Sequence, residues 1–201
     1  MEDKYLGQLL LMGIPGAELD ADTARRLKAL QPGGFIIFGR NIKSPVQLRK
    51  LMDDLRDLSD IEPILTIDQE GGRVSRLRLI GQEPPNAEAL RKKNDLGLIK
   101  RHGRLTGQIL RLFGFNLDLC PVLDVSHDDT ADNSLMGRCY GTSVNEVIEK
   151  AATFNHAMRK QGINANSYFA LEMWPLMMPK AEGAMFARTL CKFSAFATLT
   201  Q

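Results

Sequence analysis

Cysteine is scarce in this chain: Cys120, Cys139 and Cys191 are the only three among 201 residues, and no two form a CxxC pair. An odd number of widely spaced thiols excludes a disulfide scaffold and the common zinc and redox motifs, and points to a reduced, cytoplasmic protein. Aromatic side chains make up only 6% and Trp174 is the single tryptophan. None of them interleaves the densest basic stretch, Arg91-Lys92-Lys93 with Lys100-Arg101 and Arg104. That stretch therefore reads as the solvated face of a helix, and no nucleic-acid partner is expected. Neither sign of charge is in excess, with 26 basic against 24 acidic residues. No run approaches the roughly 18–20 apolar residues of a membrane span. Met1-Glu2-Asp3-Lys4 lacks the basic start and apolar core of a signal peptide.

What is present is a hydrophobic content of 44%, enough for one well-buried core. Up to about Gly162, short apolar runs alternate with longer amphipathic segments. Leu6 to Ile14 is apolar and ends at Pro15-Gly16. Ala21 to Leu30 has helical spacing. Gly33-Gly34-Phe35-Ile36-Ile37-Phe38-Gly39 is a strand bracketed by glycine. Ser44-Pro45 supplies an N-cap and a first-turn proline for a helix to about Leu58. Pro63 to Ile67 is the next strand. After Pro84-Pro85, one long amphipathic helix is expected over roughly Ala87 to Phe113. Asn116 to Val125 reads as a strand pair or bent strand, and Val144 to Lys160 as a helix. This alternation predicts an α/β protein built from parallel β/α units.

Polar residues collect where these strands end, the usual place for ligands in such folds. Asp68-Gln69-Glu70-Gly71-Gly72-Arg73 follows the Pro63 to Ile67 strand. Its two carboxylates suit sugar binding, metal binding or acid–base work; alternatively one of them caps a loop and pairs with Arg73 or Arg76. The adjacent glycines demand a tight turn. Gly39-Arg40-Asn41 follows the earlier strand, with Asn41 either a ligand contact or a turn cap. Asp124 and the cluster His127-Asp128-Asp129-Asp132 follow a third, in a spacing that fits no EF-hand, HExxH or zinc pattern and reads as a surface loop. His102 and His156 lie within helices and read as surface or packing residues. Gly137-Arg138-Cys139-Tyr140-Gly141 sets an arginine between glycines, able to fork onto hydroxyls or carboxylates.

These motifs resemble, in order, the N-terminal domain of glycoside hydrolase family 3, nearest its β-N-acetylhexosaminidase group. Gly7 to Gly13 is similar to the family's opening motif, and Gly33 to Asn41 to its first barrel signature. Asp68-Gln69-Glu70-Gly71-Gly72-Arg73-Val74-Ser75-Arg76 is the most specific match. Asn116 to Val125, followed by Arg138 to Gly141, completes the set. The resemblance covers about residues 5 to 163. It implies an incomplete (β/α)8 TIM-type barrel, of which the first four to five β/α units are present. It also implies hydrolysis, with retention, of terminal β-linked N-acetylglucosamine from glycans or cell-wall fragments, without a cofactor or metal. Asp68 is then expected to hold sugar hydroxyls, and Arg76 and Arg138 to contact the terminal sugar. A β-glucosidase-type relative is the alternative substrate class, because both subtypes share the Asp68 motif.

The same resemblance leads one to expect a lysine-histidine motif directly after Gly162, then a loop histidine and an aspartate nucleophile. The chain instead reads Ile163-Asn164-Ala165-Asn166, and no Asp follows Asp132. No catalytic residue is therefore assigned. Residues 1–163 are expected to be the barrel portion and 164–201 an atypical tail, truncated or out of frame. Reading the gene across codons 160 to 201 in all three frames tests this. Three functions stay open: the hydrolase, an inactive sugar-binding fragment, and an interaction protein built on half a barrel.

Overall fold

The computed structural model describes residues 3–165. The atypical tail lies, from residue 166 onward, outside the described residues.

A seven-residue 3-10 segment, Asp3–Leu9, leads into strand β1 (Leu11–Gly13). Helix α1 (Ala21–Leu30), strand β2 (Gly34–Ile37), helix α2 (Pro45–Leu58) and strand β3 (Ile64–Ile67) follow. A two-stranded antiparallel ribbon, β4 (Gln69–Gly71) and β5 (Val74–Ser75), precedes helices α3 (Ala87–Lys93) and α4 (Leu96–Phe113). Strand β6 (Leu117–Asp118), helix α5 (Val144–Arg159) and strand β7 (Asn164–Ala165) complete the described chain. The five strands β1-β2-β3-β6-β7 lie side by side, each parallel to the next. Neighbours in the sheet are successive in the chain and joined by helices, the arrangement of the first five units of a (β/α)8 barrel.

Local chemistry sets the helix ends. Asp20 caps α1 by accepting the Thr23 N–H at 2.8 Å. Ser44 and Gln47 form a capping box at α2, with Pro45 at its first position. Gln31 ends α1 in a left-handed conformation, φ 50°. Its buried side chain offsets that strain by donating to the carbonyls of Lys28 and Leu58 and accepting the Asp60 N–H.

The single long helix expected over Ala87 to Phe113 is in fact two. Asn94 turns left-handed (φ 49°) and closes α3, and Asp95 then caps α4 by accepting the N–H groups of Gly97 and Leu98. The strand expected over Asn116 to Val125 is only Leu117–Asp118; the residues after it run irregularly. Pro121 lacks the N–H that a strand there would donate.

Register divides the sheet into two faces. Phe35 pairs with Leu65 and Ile37 with Ile67, and all four are fully buried, with Leu48, Leu51, Met52 and Leu55 of α2 in the same core. On the opposite face the first residues of the strands are open, Leu11 and Ile64 flanking Gly34 and each 46% exposed, while Thr66 further along is fully buried. Helix α4 meets α5 closely because Gly103 has no side chain; a Cβ there would lie 2.3 Å from the Phe154 carbonyl oxygen. Arg91, expected on a solvated helix face, is buried instead, paired with Asp129 and touching the loop after β6.

Candidate functional site at the strand ends

The site is built around the β4–β5 ribbon, which rises from the carboxyl end of β3. Gly71 (φ 100°) and Gly72 (φ 56°) make its turn. Neither tolerates a side chain: a Cβ on Gly71 would sit 2.3 Å from the Pro85 carbonyl oxygen, and one on Gly72 would sit 2.5 Å from the Asn86 Cβ. The Pro84-Pro85-Asn86 segment is thus folded against the turn, and the Gly72 N–H donates to the Pro84 carbonyl at 2.9 Å. Asn86 also caps α3 and packs on Gly137, which brings the Ser134–Arg138 loop beside the ribbon.

Two ion pairs result. Arg76 Nη2 donates to Asp68 Oδ2 at 2.8 Å, with both side chains part-exposed (30% and 17%). Arg138 grips Glu70 with a two-pronged contact, Nε to Oε2 at 2.8 Å and Nη2 to Oε1 at 2.6 Å. Glu70 is nearly closed off at 8% side-chain exposure, while Arg138 keeps 25%. The bond to Glu70 holds the Arg138 guanidinium more firmly charged than usual. Both Arg138 Nη1 and Arg73 Nη2 donate to the Ser134 carbonyl, fixing the loop that carries Arg138.

The end of β2 extends the same rim. Phe38 lies under two guanidinium groups, with Arg40 4.7 Å and Arg76 5.8 Å from its ring centre. Arg40 Nε donates to the Ile14 carbonyl at the end of β1. Asn41 is fully buried and engaged internally: its Oδ1 accepts the Phe38 N–H, and its Nδ2 donates to the carbonyls of Ile14 and Gly16. It is a turn cap, the second of the two readings.

Beneath the rim lies a carboxyl that sequence reasoning did not single out. Asp118, at the end of β6, has zero exposure, and its Oδ1 accepts the Gln69 N–H at 3.0 Å. Its Oδ2 and the hydroxyl of nearby Tyr140 are buried without a partner among the described residues. Burial pushes the Asp118 carboxyl well above its ordinary range, and the charges of Asp68 and Glu70 push the same way. It holds the peptide between Asp68 and Gln69 through that N–H, with its carboxyl shifted toward the protonated form. Gln69 itself is tied to Ser75 Oγ and the Leu77 N–H, so the backbone under both surface carboxylates is fastened at three points.

The remaining sequence candidates fall elsewhere. Asp128 is occupied by the Thr130 N–H and hydroxyl, and Asp129 by Ser126 and Arg91. Among the described residues no three His, Cys, Asp or Glu side chains converge as a metal site. His156 is exposed, whereas His102 is buried against Phe154 with neither ring nitrogen partnered among the described residues. Asp124 is nearly buried within reach of Arg138's charge, and burial raises its pKa. Phe38 and the Glu70–Arg138 pairing were missed. Phe38 follows the last residue of β2, and Arg40 lies in the 3-10 turn Gly39–Asn41, so strand alternation gave no signal for their contact. The pairing spans 68 residues of sequence and had no local signal.

Chemically, the rim offers one carboxylate and two guanidinium groups, held in place by partners yet partly open to solvent. Such groups suit fixed, charge-assisted hydrogen bonds to a polyhydroxylated ligand.

Comparison with known proteins identifies the family. The sequence profile of the glycosyl hydrolase family 3 N terminal domain matches residues 1–169. A beta-hexosaminidase of Photobacterium profundum is 32% identical over 155 residues, which are 77% of this chain and 46% of that protein. One from Pseudomonas aeruginosa is 35% identical over 123 residues, covering 61% of this chain and 37% of its own. A glycoside hydrolase family 3 beta-N-acetylglucosaminidase from Paenibacillus sp. superimposes with a TM-score of 0.75 at 28% identity, over 82% of this chain and 32% of that one. The chain thus spans about half the length, or less, of the relatives it matches. With a family profile covering most of its residues and the strand-end motifs in order, the chain belongs to glycosyl hydrolase family 3.

Proposed function

We propose that this chain carries the sugar-recognition half of a β-N-acetylhexosaminidase-type glycoside hydrolase, acting on terminal β-linked N-acetylglucosamine. The observation that carries the reading is the pair of anchored, part-exposed ion pairs, Asp68–Arg76 and Glu70–Arg138, on one strand-end rim. Asp68 accepts sugar O–H groups through the oxygen that Arg76 leaves open. Arg76 and Arg138 donate to ring substituents, and Phe38 offers an apolar ring face beside them. The relatives named beta-hexosaminidase and beta-N-acetylglucosaminidase support the substrate class.

Retaining hydrolysis needs a nucleophilic carboxylate and an acid–base group facing the same bond. Asp68 and Glu70 are both committed to arginines, so neither is assigned as the nucleophile. The described residues then supply recognition, and bond cleavage belongs to groups outside them. Buried Cys120 and Cys139, both free thiols, support a reducing, cytoplasmic setting.

Titrating N-acetylglucosamine into the 201-residue chain tests the reading. Binding is expected, and Asp68→Ala should weaken it by about 10-fold or more, as for loss of a charge-assisted hydrogen bond of ~1.5–3 kcal/mol. Glucose should compete more weakly, and p-nitrophenyl N-acetyl-β-glucosaminide should bind without turnover. An absence of binding, or binding indifferent to Asp68→Ala, overturns the proposal; preference for glucose moves it to the β-glucosidase subtype.

A further inference from the structure

Away from the strand-end rim, a cavity of about 510 Å³ opens between α4 and the segment running from Leu77 to Pro85. That volume is in the range of small-molecule sites. Its α4 wall runs from Leu98 to Phe113, about 22 Å at 1.5 Å per residue, so the space is elongated. Leu105, Ile109 and Leu112 form a stripe along this wall and are 39%, 43% and 74% exposed. Leu77, Ile80 and the two prolines face them from the other side. The lining is apolar almost throughout, and its one charged member is Arg101.

Arg101 is exposed and makes no hydrogen bond or ion pair with any described residue. Two other arginines differ: Arg104 reaches Gln108, and Arg78 pairs with Glu83 at 3.5 Å. A lone guanidinium at the edge of a long apolar cavity is complementary to one planar anion on an extended apolar body. The guanidinium fork matches a carboxylate in two-pronged fashion, and one fork suffices for a single negative charge.

We propose that this cavity is a binding site for an amphiphilic monocarboxylate of the medium-chain fatty acid class, its carboxylate on Arg101 and its chain along Leu105, Ile109 and Leu112. The cavity's inner wall includes Gln69, between Asp68 and Glu70, yet the site is separate from the rim and does not depend on the sugar-binding reading.

The test is calorimetric titration of the 201-residue chain with octanoate, decanoate and decanol, all below their micelle-forming concentrations. Saturable one-to-one binding of decanoate is expected. Octanoate should bind about 15-fold more weakly, from about fourfold per buried methylene. Arg101→Gln should weaken decanoate by about three- to fivefold and leave decanol unchanged, the size expected of an exposed charge pair. Ile109→Trp should abolish binding of both while leaving the circular dichroism spectrum intact. If that variant does not fold, Leu112→Lys makes the same comparison at a more exposed position. No saturable binding, equal affinity for decanoate and decanol, or indifference to the cavity-filling variant overturns the proposal. So does a dimer, seen by sedimentation and broken by Ile109→Trp, because a second copy of the chain would then be what covers the groove.

Discussion

His102 makes a quantitative prediction possible. Its ring is 7% exposed, packed 5.2 Å from the Phe154 ring, and neither nitrogen has a hydrogen-bond partner among the described residues. Burial alone lowers its pKa from 6.5 to about 4. An unfolded chain takes up a proton near pH 6.5, whereas the folded chain resists until about pH 4. Stability is therefore complete above pH 6.5 and is lost as pH falls through that window. The gap corresponds to about 3 kcal/mol when fully expressed. Between pH 7 and pH 5 the loss is about 2 kcal/mol.

The perturbation is His102→Leu, which keeps an apolar body of similar size and removes the ionisable ring. Urea unfolding followed by circular dichroism, at pH 7 and pH 5, gives the stability of both proteins. Other acid-sensitive groups act on both and cancel in the difference. At pH 7 the variant should equal or exceed the wild type, because two unsatisfied nitrogens are gone. At pH 5 its advantage should grow by about 2 kcal/mol. An advantage that does not change between the two pH values would refute burial as the force acting on His102.

Gly103→Ala gains helix propensity of about 1 kcal/mol but drives a Cβ to 2.3 Å from the Phe154 carbonyl, so a net loss of about 1–2 kcal/mol is expected in thermal unfolding. Gly39→Ala, where nothing lies within 4 Å, should stay near wild type. Arg138→Ala should cost about 3–5 kcal/mol by stranding the nearly buried Glu70 carboxylate, clearly more than Glu70→Gln; equal costs would mean that Glu70 is well solvated. Asp118→Asn keeps an acceptor for the Gln69 N–H and should fold, whereas Asp118→Ala leaves that N–H bare and should lose about 1–3 kcal/mol or more. Because the Asp118 pKa is raised, the wild type loses stability as pH rises above 3.8, so Asp118→Asn should gain on it from pH 4 to pH 7. A flat difference would count against that upward shift.

Much of the fold was legible where local chemistry is decisive. Ser44-Pro45 announces α2, glycine brackets β2, and the alternation of elements gives parallel β/α units. The break at Asn94-Asp95 carries a readable signal too, a left-handed cap followed by an N-cap, but the charged run before it looks like continuing helix. Arg91 illustrates what sequence hides. Its neighbours Lys92 and Lys93 are exposed, and only the return of the chain at Asp129 makes burial of the guanidinium tolerable. The site divides in the same way. Asp68 and its glycines declare themselves, and Arg76 lies within eight residues. Arg138 finds Glu70 only because Asn86 draws the ribbon and the Gly137 loop together.

The electrostatics of the rim explain why three acids can share so small a region. Two of them, Asp68 and Glu70, are neutralised by arginines that come from the ribbon's own continuation and from a distant loop. The third, Asp118, sits on the core face at the register position of Ile67, where a charge would have neither water nor a counterion. With its carboxyl shifted toward the protonated form, it adds less repulsion to the pair above it and still accepts the Gln69 N–H. The chain thus meets the desolvation cost of its surface charges during folding, before any ligand arrives. On the proposed sugar-binding reading, a hydroxyl entering the rim would exchange water for groups already oriented, which is the condition under which a neutral, well-hydrated ligand can be held selectively. Loosening the anchor at Asp118 should therefore weaken ligand binding even though that side chain never touches the ligand.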